Sequence, residues 1–349
     1  MTLRDLRWRL RRFVIAGTGA AMVFALALVI AGLTSSFTKE AGRVVDGIGA
    51  DAWVVNVGID GIFSTPSLLP PGTVEKVAKL PGVTRADPLV VLHHTVRLPG
   101  GGDPADVNLV GYRPGGVGEP ALVAGRLPTI PGEVVADESL DAPLGSKVQL
   151  AGKTLQVVGR TSGLSINGGQ PMLHLRIVDA QDLLTRGLPV VTAVVTKGVP
   201  TTVPAGLQVK PRSAVREDLL RPTQGPLTSL RVTLVLLWCV AGLVIGSVVY
   251  LSALERARDF AVYKATGWST RDLGLGLALQ SVLLALAASV MGLVLAQLML
   301  PLFPLNFTVP TSARLMLPAL GLVIGLLASL VGLRRAVGVD PALAFGGAA

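Results

Sequence analysis

Charged residues disappear from three stretches of the chain, and these gaps lay out its plan. None lies between Arg12 and Lys39, whereas a helix needs roughly 20 apolar residues to cross a hydrocarbon core about 30 Å thick. Residues 13–33 are therefore expected to form a first membrane span. A cleaved signal peptide competes with this reading, and Arg11-Arg12-Phe13 is similar to a twin-arginine signal. The apolar run is longer than the usual signal core of about 7–15 residues, however, and no small-x-small cleavage site directly follows it. A second charge-free stretch predicts a span at 232–254. The third, 273–313, is too long for one helix and is broken by Pro301, Pro304, Asn306 and Pro310, since proline removes a backbone donor and clashes inside a helix. Spans at 273–300 and 315–333, joined by a short external loop at 301–314, complete a set of four.

Residues 34–228 hold most of the acidic residues and prolines and no second long apolar run, so they are expected to form a water-soluble domain. Alternating or short apolar runs predict strands at 52–57, 83–92, 107–111, 133–136, 147–150, 155–159, 173–178 and 190–196. Helical spacing predicts helices at 72–80 and 179–185, the second capped by Asp179. No regular repeat divides the region. Residues 34–49 and 213–228 are candidate helical stalks joining it to the first two spans. The fold class expected is thus a membrane protein of four transmembrane α-helices, with one large mixed α/β extracytoplasmic domain inserted between helices 1 and 2.

Basic residues near span ends mark the cytoplasmic side, and long translocated domains are exempt from that count. Arg4, Arg7, Arg9, Arg11 and Arg12 precede the first span; Arg256, Arg258, Lys264 and Arg271 lie between the second and third; Arg334 and Arg335 follow the fourth. Segments 1–12, 255–272 and 334–349 are accordingly expected in the cytoplasm, which places both termini inside. Leu3, Leu6, Leu10 and Phe13 recur at helical spacing among the first arginines, as in a short amphipathic helix resting on the inner leaflet. An ordinary basic flank has the same composition.

Composition supports this plan. Half the residues are hydrophobic and only 15% are charged, against about 25% in an ordinary soluble chain. Abundant Ala, Gly, Leu and Val suit close-packed helices better than the alternating strands of a barrel. The formal net charge of +9 would otherwise suggest nucleic acid, but the clustering of arginines beside an apolar run assigns them to membrane topology. Cys239 is the only cysteine, which rules out an intramolecular disulfide and suggests a small buried packing residue.

Catalytic chemistry is hard to place. No G-x-x-x-x-G-K-[ST] occurs; Gly145-Ser146-Lys147 lacks the upstream glycine and lies in the external domain. The spans carry no Asp, Glu, Lys, Arg or His, the groups that usually mark ion pathways. His93 and His94 are adjacent on a predicted strand and so point to opposite faces, and His174 is the only other histidine. Asp137-Glu138 reads as a solvated turn better than as a catalytic pair. No catalytic residue, cofactor site or metal site is assigned.

The most informative segment is 254–269. Phe260, Tyr263 and Lys264 are spaced for one helix face, Gly267 is a candidate helix stop and Ser269 a candidate cap for the next helix. A short amphipathic helix between two spans could dock in a groove of a cytoplasmic partner and pass its movement to both. A solvated interfacial loop has the same composition.

Glu255-Arg256-x-Arg258-Asp259-Phe260-Ala261-Val262-x-Lys264-Ala265-x-Gly267 resembles the signature loop of MacB/FtsX-type ABC transporter permeases, commonly E-R-x-R-E-I-G-x-x-[KR]-A-x-G. Arg334-Arg335-Ala336 followed by Asp340-Pro341-Ala342-Leu343 resembles the ending of that family. Gly82-Val83 with Pro88, and Ala124-Gly125-Arg126-Leu127-Pro128 with Gly132-Glu133-Val134-Val135, are similar to its periplasmic core domain. Asp259-Phe260-Ala261 replaces the commoner Glu-Ile-Gly and is closer to the heterocyst-exporter branch. Subfamily and substrate stay open.

The resemblance implies a multi-pass protein of the bacterial cytoplasmic membrane, paired with a second permease copy and with a cytoplasmic ABC ATPase subunit that binds ATP and Mg. It makes 255–272 a coupling loop in which Glu255, Arg256, Arg258, Asp259, Phe260, Lys264 and Gly267 serve the partner. The work would be export or extraction of a substrate, driven by movement of the external domain. A non-transport alternative uses the same movement to control an extracytoplasmic partner protein such as a cell-wall hydrolase. A sensor receptor would need a cytoplasmic signalling domain, for which the residues after Leu333 are expected to be too few. Gly242-Leu243-Val244-Ile245-Gly246 and Gly321-Leu322-Val323-Ile324-Gly325 are identical pentapeptides in the second and fourth spans, and their glycines would permit close helix packing.

Overall fold

The computed structural model describes residues 10–337, apart from 64, 66, 99–103, 167, 185–186, 256–258, 261, 264–265, 268 and 301–308. It divides into two units: residues 36–225, and the remainder on either side of them in the chain.

Among the described residues, four helices are long and apolar enough to cross a membrane. Helix α1 is Leu10–Ile48, with no proline and no charge between Phe13 and Thr38 to interrupt it. Thr34 returns its hydroxyl to the Ile30 carbonyl of the preceding turn at 2.9 Å. The expected first span and its stalk are therefore one helix. The initial amphipathic segment lies largely outside the described residues.

The domain unit is a mixed sheet covered on both faces. Its strands are β1 (Ala52–Asn56), β2 (Arg85–Arg97), β3 (Ala105–Tyr112), β4 (Ala124–Gly125), β5 (Glu133–Asp137), β6 (Lys147–Leu150), β7 (Lys153–Thr161), β8 (Ser165–Ile166), β9 (Gln170–Arg176), β10 (Ala193–Lys197) and β11 (Leu207–Pro211). Along the main path they run β11-β1-β10-β2-β3-β9-β5-β7-β4, with β6 joining β2 to β7 and β8 beside β9. The β3–β9 and β5–β7 pairs are parallel and the others antiparallel.

Alternation along the strands builds two cores, because successive side chains point to opposite faces. Val54, Val90, Leu109, Leu173 and Val194 lie on one face, with Val77 of α2 (Thr73–Ala78) and Ala180 of α3 (Ile177–Leu184). Their neighbours Trp53, Val91, Val110, Met172 and Val195 form the other, covered by Val44 and Ile48 of α1 and Val215 of α4 (Arg212–Leu220).

Strand β2 runs on to Arg97, five residues past its expected end, β10 begins at Ala193 rather than 190, and the short strands β4 and β8 were not expected; two further differences have a visible cause. The strand expected over 173–178 ends at Arg176, and Ile177 already begins α3. Arg176 holds Asp179 through Nε at 2.8 Å and Nη2 at 2.9 Å, so Asp179 anchors the first helical turn from within it rather than capping it. Strand β11 was not anticipated: it is short and ends in proline. It is fixed by its partner β1 and by Gln208 Nε2, which donates to the carbonyls of Asn56 and Ile59.

The membrane unit continues with α5 (Gln224–Glu255), α6 (Thr270–Met299) and α7 (Thr311–Val337). Pro226 falls in the first turn of α5, where a missing amide costs no helical hydrogen bond. Cys239 is exposed along α5 and so faces away from the bundle interior, contrary to the expected buried packing role.

Candidate functional site: the loop between the second and third spans

The short connection between α5 and α6 is itself partly helical. Asp259, Phe260, Val262 and Tyr263 have helical backbone. The Thr266 amide donates to the Val262 carbonyl at 2.9 Å, and the Thr266 hydroxyl donates to the carbonyls of Val262 and Tyr263. Gly267 then takes φ +91°, the left-handed geometry in which a side chain is strained and glycine is not, so the turn of helix stops there. Two residues on, Ser269 caps α6: its Oγ accepts from the Asp272 amide at 3.2 Å and donates to Asp272 Oδ2 at 2.7 Å.

The turn has two unlike faces. Phe260 is 6% exposed and belongs to the apolar cluster that includes Ala253 of α5 and Leu277 of α6, with Tyr263 packed against the same cluster. Asp259, Val262, Thr266 and Gly267 are exposed. Glu255, the last residue of α5, is also exposed. Of the residues expected to serve a partner, Phe260 is thus turned into the bundle while Glu255, Asp259 and Gly267 face outward. Arg256, Arg258 and Lys264 lie outside the described residues.

The four packing glycines sit at helix contacts of two kinds. A Cβ on Gly325 would stand 2.8 Å from Val282 Cα, and one on Gly321 would stand 3.2 Å from the Ala285 carbonyl, so α7 closes directly on the α6 backbone. Gly242 and Gly246 of α5 face Ile324 and Ala328 of α7 at ordinary contact distances of 3.8 and 4.0 Å. Gly325 is needed sterically and Gly321 is a tight fit, whereas the α5 pair has room for a Cβ.

Buried polar chemistry in the domain is structural in character. Glu133, in the motif noted above, is 4% exposed and accepts from Arg126 Nη1 at 2.7 Å and from the Thr129 amide at 2.8 Å. These donors, Arg126 foremost, hold its carboxyl down to about 2. Asp137 is fully buried and takes four donors: the Ser139 amide and hydroxyl, the Thr161 hydroxyl and the Leu164 amide. Burial pushes the neighbouring His174 imidazole down to about 4, against a smaller opposing pull from Asp137. His93 and His94 are not fully buried, and His93 Nε2 lies 4.0 Å from Asp106.

Comparison with known proteins places this arrangement in a family. An uncharacterised ABC transporter permease of Mycobacterium bovis is 44% identical over 345 residues, covering 99% of this chain and 98% of its own length. Another from Mycobacterium tuberculosis is 41% identical over the same length. The model for the FtsX-like permease C-terminal region matches residues 231–341, which contain the loop and the last three spans. The chain belongs to the FtsX-like ABC transporter permeases. With its four apolar helices, this permease is a multi-pass inner-membrane protein. Membership also implies an ATP-binding partner subunit. Among solved structures, the periplasmic region of MacB from Actinobacillus actinomycetemcomitans covers 50% of the permease and 94% of its own chain, at 16% identity and a TM-score of 0.36. The extracellular domain of YknZ from Gram-positive bacteria covers 45% and 98%, at 13% identity and a TM-score of 0.34.

Proposed function

We propose that this permease receives mechanical work from a separate ATP-binding subunit at the loop 255–272 and passes it to its extracytoplasmic domain, for export or extraction of a substrate. The observation that carries this reading is the two-faced loop. Phe260 and Tyr263 fasten the turn to the bundle, while Glu255, Asp259 and Gly267 present an outer surface. A displacement of that surface would move both adjoining helices, because each is continuous up to the loop and α6 is capped at its first turn. Glu255, Arg256, Arg258, Asp259 and Lys264 form the contact set in this account, and Gly267 sets its shape.

The subunit bearing MgATP sits on the cytoplasmic side, which places both termini inside and the domain outside, in agreement with the basic residues at the span ends. A homodimer supplies two loops to two ATP-binding subunits. The test is co-purification from membranes of a tagged full-length chain and of a variant lacking 256–268. Recovery of an ATP-binding subunit with the intact chain alone supports the reading. Equal recovery with both, or with neither, overturns it. In the purified complex, ATPase stimulation by a candidate substrate favours transport, whereas stimulation only by a cell-wall hydrolase favours regulation.

A further inference from the structure

Apolar spans give a helix bundle little that fixes one sliding position between neighbours, because lipid tails and side chains are alike in chemistry. One side-chain pair departs from that pattern. Gln280 of α6, 4% exposed, donates from Nε2 to the hydroxyl of Ser252 on α5, 3% exposed, at 3.1 Å. Among the described residues, the other buried serines of the spans return their hydroxyls to their own helices: Ser281 to Ala278, Ser289 to Leu286 and Ser329 to Leu326.

The surroundings of Gln280 give the pair its meaning. Ser252 is one turn from the end of α5, and Gln280 is about three turns into α6. The residues next to Gln280, Ser281 and Val282, form the floor on which Gly325 of α7 rests, within 3.0 Å of the Ser281 carbonyl oxygen and 2.8 Å of Val282 Cα, measured from the Cβ position. About three turns beyond Gln280, Gly292 of α6 leaves room for α1, whose Phe24 Cβ would stand 2.8 Å from a Cβ there. Helix α6 thus meets all three other spans, and at the level of Gln280 it makes a directional hydrogen bond on one side and a backbone contact on the other.

We infer that Gln280 is a positioning residue: its bond to Ser252 locks the second span to the third, so that a displacement of the loop moves the two spans and the α7 seated on them as one body. The inference rests on the transmission reading above, but it concerns the register of the spans rather than the docking of the partner. Gln280→Leu keeps the volume and the apolar surroundings while removing the bond. The exchanged pair Ser252→Gln with Gln280→Ser restores a donor and acceptor across the same contact.

The experiment has two arms. In the first, the chain alone is placed in lipid nanodiscs with Cys239→Ala and spin labels on cysteines at Leu251 and Leu275, both exposed. The distance distribution between labels is expected to be narrow in the parent, broadened in Gln280→Leu, and narrow again in the exchanged pair. An unchanged distribution in Gln280→Leu overturns the lock. In the second arm, the complex recovered by co-purification is treated with MgATP and vanadate. Gln280→Leu is expected to retain the ATP-binding subunit while the nucleotide-dependent change in protease accessibility of the domain falls roughly five-fold, as loss of a bond of this class would give, with recovery in the exchanged pair. A full nucleotide response in Gln280→Leu overturns the inference and leaves the docking reading standing. Absence of any bound ATP-binding subunit in the parent overturns the docking reading, while the first arm still decides the lock.

Discussion

The two units hide polar groups in opposite ways. In the domain, Asp87, Glu133, Asp137, Asp179 and Asp218 are all buried, and each is met by donors from nearby loops, strands or helices. Among the described residues of the membrane unit the buried polar side chains are Ser252, Gln280, Ser281, Ser289 and Ser329, none of them ionisable, and close contact is made by glycines instead. Burying a charge near water can be offset locally by hydrogen bonds and a partner charge. Within lipid the cost is higher and the partners fewer, so backbone proximity does what ion pairs do outside. A domain built by pairing should fail through lost partners, and a bundle built by proximity should fail through added volume.

The sharpest way to break this contrast is Gly325→Leu. The new side chain meets α6 backbone, which cannot rotate away, and a loss on the order of 3 kcal/mol or more is expected. Limited proteolysis should show spans cut readily while the domain stays resistant; Gly242→Leu, with its looser contact, should be milder. Next comes Arg126→Ala, which takes the charged donor from the buried Glu133 and leaves it only the neighbouring loop donors such as the Thr129 and Ile130 amides, and is expected to destabilise the domain less than the glycine substitution destabilises the bundle. Thermal unfolding of the full chain should report it in the domain transition, with partial recovery when Glu133→Gln is added.

A pH series sharpens the same point. His174 is held neutral by burial, so the folded state binds fewer protons than the unfolded one between about 4 and the ordinary histidine value. Stability should therefore fall as pH drops through that window, by on the order of 3 kcal/mol, and His174→Leu should remove this slope. The smallest effect expected is Gly267→Val, about 1 kcal/mol of local strain. It should leave thermal unfolding nearly unchanged and weaken capture of the ATP-binding subunit.

The same contrast explains what was legible in the sequence. The spans could be read because charge is excluded from lipid over long runs, a signal that needs no tertiary context. The loop could be read from Gly267 and Ser269, whose roles as stop and cap are local. What could not be read depended on partners distant in the chain. Strand β11 exists because β1, about 150 residues earlier, offers its edge. The start of α3 depends on an Arg176–Asp179 pair inside a run of residues that favours strand. Gln280 carried no signal in the sequence, since a single polar residue in a span acquires meaning only when its partner on another helix is known. Phe260 was identified with the loop, but its direction into the bundle follows from packing alone.

The central claim is that work enters this permease through the outward face of the loop and not through its inward face. A photo-reactive amino acid placed at Asp259, and separately at Phe260, in the full-length chain in native membranes tests it directly. The account predicts a crosslink to an ATP-binding subunit from position 259 and crosslinks confined to the chain itself from position 260. Equal capture of that subunit from both positions, or from neither while the subunit remains bound, would contradict it.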